Sequence, residues 1–173
     1  MAKKQKSSSK TTKQTPVSGG SKANATGNQL ERFVCQTLEN HGYAEFWNHK
    51  KQFMEIRNTI GGKQFAQQIP VGPTIYDTDR RCDIYVMNRA KFPDDLVIEC
   101  KWQQAKGSVD EKYPYLLFNI IRTGIPTIVV IDGDGARPAA VAWLKSQVGG
   151  GSALLGVWDM KEFHRQANNG FLG

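Results

Sequence analysis

The sequence is poor in the residues that build zinc sites and disulfide frames. Its three cysteines, Cys35, Cys82 and Cys100, are odd in number, form no CxxC pair and sit beside apolar neighbours. That pattern excludes a disulfide scaffold or a cysteine zinc site and fits reduced thiols inside a cell. The three histidines, His41, His49 and His164, have no HxxxH or HxxE spacing, which argues against a zinc hydrolase or a histidine-metal site. No apolar run approaches the roughly 20 residues that cross a bilayer, and the lysines near the N-terminus are not followed by an apolar signal core. Internal repeats are also missing, so no solenoid or propeller is expected. These absences point to a soluble, cytoplasmic (intracellular) or nucleoid-associated protein.

Charge is abundant but unevenly placed. The formal charge is +7, yet Lys3, Lys4, Lys6, Lys10, Lys13 and Lys22 all fall within the first 26 residues. Residues 1–26 are mostly Lys, Ser, Thr, Gln, Gly and Ala, a composition that cannot offset its chain entropy by burial. A disordered basic arm is expected there, able to attract phosphate nonspecifically, followed by one domain over 27–173 that is close to neutral. A domain of that length is large enough for a mixed sheet flanked by helices.

From Gly27 the pattern becomes periodic. Leu30, Phe33, Val34, Thr37 and Leu38 form the stripe of an amphipathic helix running to about Asn40, with His41-Gly42 as its stop. After an aromatic connector with Phe46 and Trp47, residues 52–58 and 63–69 suggest a hairpin around Gly61-Gly62. Cys82–Met87 and Leu96–Trp102 are apolar, β-prone runs that should pair as an antiparallel hairpin across a polar turn at 88–95. Pro114 suits the first turn of a helix that continues through Tyr115, Leu116, Phe118, Asn119 and Ile120. Thr127–Ile131 is a β-branched run of the kind buried on both faces, ended by an Asp132-Gly-Asp-Gly turn. A short helix over 139–147, a strand over 154–158 and a last helix over 160–168 complete an α/β sandwich around a mixed sheet.

The informative segment is Leu96-Val97-Ile98-Glu99-Cys100-Lys101-Trp102-Gln103, where two charged residues interrupt a strand otherwise suited to burial. Alternation puts Val97, Glu99, Lys101 and Gln103 on one face and Leu96, Ile98, Cys100 and Trp102 on the other, which is the core face. Glu99 and Lys101 are then rooted about 7 Å apart near the middle of the sheet. Charges there are costly unless paired with each other or with a metal. Asp83 lies on the preceding strand in apolar company, and the hairpin brings it toward Glu99. Two carboxylates from adjacent strands bracket a space suited to a hard divalent cation, Mg²⁺ above all because it keeps waters and binds phosphate. Lys101 is left to orient or deprotonate a water and to neutralise charge building on a phosphorane, with Gln103 one step further on the same face. The literal Pro93-Asp94 is a poor alternative, since Asp94 and Glu99 on one strand would sit about 16 Å apart on opposite faces. Asp94 and Asp95 are therefore read as turn residues, and Asp77 and Asp79, beside Arg80 and Arg81, as surface or phosphate-proximal charges. Asp132 and Asp134 lack the further ligands of a calcium loop and read as a turn. Lys106, Lys112 and Tyr113 follow the charged strand and either approach phosphates or form a solvated loop.

Asp83, then Glu99-Cys100-Lys101 with Gln103 two residues on, resembles the PD-(D/E)XK motif of the restriction-endonuclease-like nuclease superfamily. Gly27-Asn28-Gln29-Leu30-Glu31 is similar to its first-helix glutamate segment, and the likeness runs over 27 to about 131. Cys82 stands where the motif has Pro. The resemblance implies the αβββαβ core of that superfamily. It implies Asp83, Glu99 and the Cys100 carbonyl as metal ligands, Lys101 as the catalytic lysine, Gln103 as an accessory polar residue and Glu31 as an auxiliary acid. The activity implied is Mg²⁺-dependent endonucleolytic cleavage of DNA, with Mn²⁺ able to substitute. A homodimer would suit a symmetric duplex, and specificity would come from loops such as 70–80 and 103–113. The alternative is a nucleic-acid-binding module that keeps the fold without the chemistry, although a degenerate site should have lost one of its costly charges. An adaptor protein with an incidental ExK strand would leave Asp83 and the shared face unexplained.

Overall fold

A computed structural model describes residues 19–46, 61–104 and 111–173, with side chains from Gln29 onward. The first helix, α1, spans Gly19–Asn40. It buries the expected stripe: Leu30, Val34 and Leu38 are fully enclosed. The helix starts eight residues before the apolar pattern does, because backbone hydrogen bonding can carry a helix past the residues that anchor it. Residues 1–18 of the expected arm, Trp47 and the expected strand 52–58 lie outside the described residues.

The sheet has six strands in sequential spatial order: β1 Ala44–Glu45, β2 Gln64–Pro73, β3 Asp79–Asn88, β4 Phe92–Trp102, β5 Thr127–Asp132 and β6 Leu154–Trp158. β3 runs antiparallel to both of its neighbours, β2 and β4. β1 runs parallel to β2, and β5 and β6 continue parallel to β4. The parallel steps require crossovers, supplied by α2 (Lys112–Thr123) between β4 and β5 and α3 (Pro138–Ser146) between β5 and β6. The last helix, α4 (Met160–Gln166), is capped by Asp159, whose carboxylate accepts the Glu162 N–H at 2.7 Å. A π-helical turn over Ala167–Phe171 follows.

Side-chain alternation splits the core in two layers. Leu30, Val34 and Leu38 of α1 pack with Ile84, Val86, Leu96, Ile98, Ile128, Val130 and Phe163 on one face. Leu116, Leu117 and Ile120 of α2 and Leu144 of α3 pack with Val129, Ile131, Leu154 and Val157 on the other. β5 is thus buried on both faces, as its β-branched run predicts. Each fully enclosed Val or Ile contributes about 1.5–3 kcal/mol through removal from water.

The turn between β3 and β4 is shorter than the polar stretch suggests. Asn88 still pairs with Phe92, and the Lys91 N–H closes the turn on the Asn88 carbonyl at 2.9 Å. Asp94 and Asp95 therefore belong to β4 and not to the turn, a correction to the sequence reading. The register slips between Val86 and Asn88, so Pro93, Asp94 and Asp95 form a bulge, which accommodates a proline that cannot donate to the ladder. Asp95 adopts φ 63° there and is only 2 % exposed. The Tyr85 hydroxyl donates to its Oδ2 at 2.9 Å.

Candidate active site

β3 and β4 stay in antiparallel register as far as Ile84 opposite Ile98. One step further, the Asp83 carboxylate itself takes the Cys100 N–H, at 2.8 Å to Oδ2. Lys101 Nζ donates to Asp83 Oδ2 at 3.0 Å and to Glu99 Oε2 at 2.8 Å. The three residues singled out in the sequence meet at one point. The side chain of Glu99 is 5 % exposed and that of Lys101 30 %, so the Glu99 charge depends on its partners while Lys101 keeps a path to solvent.

Arg80 is a fourth member, which the sequence reading named only as a neighbour of Asp79 and gave no role. Its guanidinium donates to Glu99 Oε1 at 2.5 Å, and its side chain is 10 % exposed. It also reaches the Asn119 carbonyl of α2, at 3.5 Å. Strict alternation would put Arg80 on the same face as Ile84, away from Glu99. The strands do not alternate strictly here. Phe65 and Ile84 belong to the α1 layer, whereas Ile69 and Cys82, an even number of residues away on the same strands, are buried in a cluster with Tyr85 and Val97. The side chains change face across Gln68, which has φ 54°, and Asp83. That switch carries Arg80 to the Glu99 side.

Electrostatics follow from this geometry. Burial alone would lower the Lys101 pKa, but the Glu99 and Asp83 carboxylates outweigh it and hold the ammonium above the ordinary lysine range. Lys101 is therefore a cation throughout the physiological range. Glu31, on α1, has its carboxyl raised first by burial and then by the Asp83 charge, with Lys101 opposing and Glu99 adding. It senses the cluster but lines a separate cleft of about 440 Å³ with Cys35, Glu39, Glu45 and Gln67. Burial, reinforced by Asp83, pushes the Cys100 thiol far above its usual range, which makes it an inert core thiol.

Glu99 and Lys101 open onto a cleft of about 420 Å³ on the α2 side, lined also by Arg80, Arg81, Lys112, Tyr113 and Tyr115. Lys112 and Tyr113 thus border the site. Gln103 shares the strand face as expected but is buried, and its Oε1 accepts the Tyr113 hydroxyl at 3.3 Å. It lies behind the cleft wall. The end of β4 is fixed by the Asp132-Gly-Asp-Gly turn: the Gln103 N–H donates to the Asp132 carbonyl at 2.8 Å, and the Gln103 carbonyl accepts the Gly135 N–H at 2.9 Å. Asp132 uses its own carboxylate on the N–H groups of Gly133 and Met160, at 2.6 and 3.2 Å, so it serves the turn. Asp77 pairs with Arg122 at the surface.

Among the described residues no group of three or more His, Cys, Asp or Glu side chains is arranged around a metal position. What the site offers is two carboxylates that already share one positive guest, the Lys101 ammonium, with the Cys100 backbone between them. A hard oxygen donor pair of this size fits a cation such as Mg²⁺, which takes one or two carboxylates and fills its shell with water and phosphate oxygens. A family model for a PD-(D/E)XK nuclease superfamily domain matches residues 22–171, most of the chain. Neither a curated protein nor a solved structure matches it.

Proposed function

This chain belongs to the PD-(D/E)XK nuclease superfamily, and from that premise we propose that it is a Mg²⁺-dependent DNA endonuclease hydrolysing phosphodiester bonds at Asp83, Glu99 and Lys101. The observation that carries the reading is the convergence of both carboxylates on Lys101 Nζ where a cleft lined by Arg80, Arg81 and Lys112 opens. Asp83 and Glu99, with the Cys100 carbonyl, would hold the metal. When bound, Mg²⁺ supplies a water of lowered pKa and a positive centre for the phosphoryl oxygens.

The remaining roles fall to the chain itself. Lys101, rooted beside both carboxylates, stabilises the charge that builds on the crowded phosphorus and orients or helps deprotonate the water. Arg80 keeps one Glu99 oxygen fixed, which leaves Oε2 directed toward Lys101 and the cleft. Arg81 and Lys112 attract the neighbouring phosphates. Gln103 positions Tyr113 in the cleft wall, and Glu31 biases the cluster through its charge. Mn²⁺ would substitute for Mg²⁺, and two copies would pair to cut both strands of a duplex, in restriction, repair or recombination.

Supercoiled plasmid incubated with the protein in EDTA, Mg²⁺ and Mn²⁺, alongside Asp83→Ala, tests the reading. Metal-dependent nicked or linear product, absent with Asp83→Ala, is expected. Binding without cleavage in any metal, on plasmid, single-stranded or branched DNA, would instead identify a binding module that keeps the fold without the chemistry.

A further inference from the structure

At the rim of the same cleft stands an aromatic pair that the hydrolytic centre does not use. Tyr76 stacks on Tyr115 with ring centroids 5.4 Å apart and planes within 20°. Tyr115 lines the cleft beside Lys101, but Tyr76 projects from it and is 71 % exposed. A large exposed ring gains little for the fold, yet the backbone beneath it is tied down. Thr74 Oγ1 accepts the N–H groups of Tyr76 and Thr78, at 3.2 and 3.3 Å, and lies 2.7 Å from Thr78 Oγ1. Asn119 Oδ1 of α2 accepts the Ile75 N–H at 2.8 Å. Asp77 takes φ 59°, a left-handed turn conformation that aspartate adopts readily. These hydrogen bonds hold the backbone under the aromatic face in a fixed place.

The chemistry around it selects the ligand. Arg81 and Lys112 line the cleft that Tyr115 borders, beyond Arg80 and Lys101, which Glu99 and Asp83 already hold, so cationic groups and a flat π surface lie side by side. Phosphates of an intact duplex would use the cations and leave the ring idle. A strand with unpaired bases uses both, because any base can stack on an aromatic face while its backbone follows the positive groove. We propose that Tyr76 and Tyr115 form a stacking platform for an unpaired nucleobase next to the scissile phosphate, so that the protein binds DNA with an unpaired base at the cleft, a single strand or a duplex frayed at the cut, more tightly than fully paired duplex. The proposal rests on the nuclease reading for the position of the scissile phosphate, but the platform itself is tested without cleavage.

The test is fluorescence anisotropy of a labelled oligothymidylate and of a hairpin duplex in EDTA, with the parent, Tyr76→Ala and Tyr76→Phe. Circular dichroism confirms that each variant is folded. The parent should bind the single strand more tightly than the duplex. Tyr76→Ala should lose between about fivefold and a hundredfold of single-strand affinity with duplex affinity unchanged, and Tyr76→Phe should retain it. Equal affinity of Tyr76→Ala and parent for the single strand overturns the platform, as does an equal loss on both DNAs. A change in self-association with DNA affinity intact also overturns it and assigns Tyr76 to a contact between copies. Failure of the nuclease reading has a different signature: single-strand preference that depends on Tyr76 with no metal-dependent cutting of any DNA.

Discussion

Replacing Lys101 by Met keeps the aliphatic stem and removes the charge that both carboxylates share. Asp83 is then left with the Cys100 N–H and a long contact from Gln68 Nε2 at 3.5 Å, while Glu99 keeps Arg80. Uncovering a buried charge costs about 3–5 kcal/mol. Lys101 is 30 % exposed and Glu99 retains a second partner, which reduces the expected loss to about 2–3 kcal/mol. For a chain of this size that is a fall in Tm of roughly 5–10 °C in EDTA. Mg²⁺ should reverse it. The ammonium competes for the same carboxylate oxygens as the metal, so removing it raises Mg²⁺ affinity, and Mg²⁺ at about a hundred times its Kd returns about 2.7 kcal/mol. Thermal unfolding of parent and variant, each across a Mg²⁺ titration, measures both effects. Equal Tm values in EDTA, or a Mg²⁺ shift no larger in the variant than in the parent, would refute the claim that ammonium and metal share one seat.

Three further outcomes follow from the same geometry. Arg80→Met should cost about 2 kcal/mol by urea unfolding, less than full exposure of a buried charge because Lys101 still holds the other Glu99 oxygen. Glu31→Gln should raise Tm at neutral pH, because a carboxyl whose folded pKa is raised contributes stability only while protonated. The difference from the parent should vanish below the unfolded value near 4.5, where Glu31 binds its proton in both states, and grow as pH rises through the folded value. Gly133→Ala should destabilise by more than about 2 kcal/mol in urea unfolding, since a Cβ there would lie 2.2 Å from the Gln103 carbonyl oxygen at φ +100°.

Much of this arrangement was legible in the sequence for an identifiable reason. Val97, Glu99 and Lys101 alternate with Leu96, Ile98 and Cys100, and a regular strand must put those sets on opposite faces, as it does. Thr127–Ile131 carries enough β-branched side chains to read as a strand buried on both faces, and Leu154–Trp158 reads as a strand although it lies at the sheet edge with Leu155 exposed. Period-two reasoning fails where the backbone departs from it. The change of face across Gln68 and Asp83 hid Arg80, whose only signal was two arginines placed just ahead of Asp83. The bulge at Pro93–Asp95 disguised a strand segment as a turn, and the hydroxyl that makes buried Asp95 tolerable comes from Tyr85 on the neighbouring strand. β1 is two residues long and gains its place from pairing with β2, which no local pattern announces.

If Lys101, Asp83 and Glu99 act as one hydrolytic centre, single-turnover cleavage of labelled DNA in Mg²⁺ will separate the parent from Lys101→Ala. Lys101→Ala should lose at least about a hundredfold in rate, with DNA affinity in EDTA within about twofold of the parent because the phosphate-attracting Arg81 and Lys112 remain. An unchanged rate in Lys101→Ala would contradict the single centre.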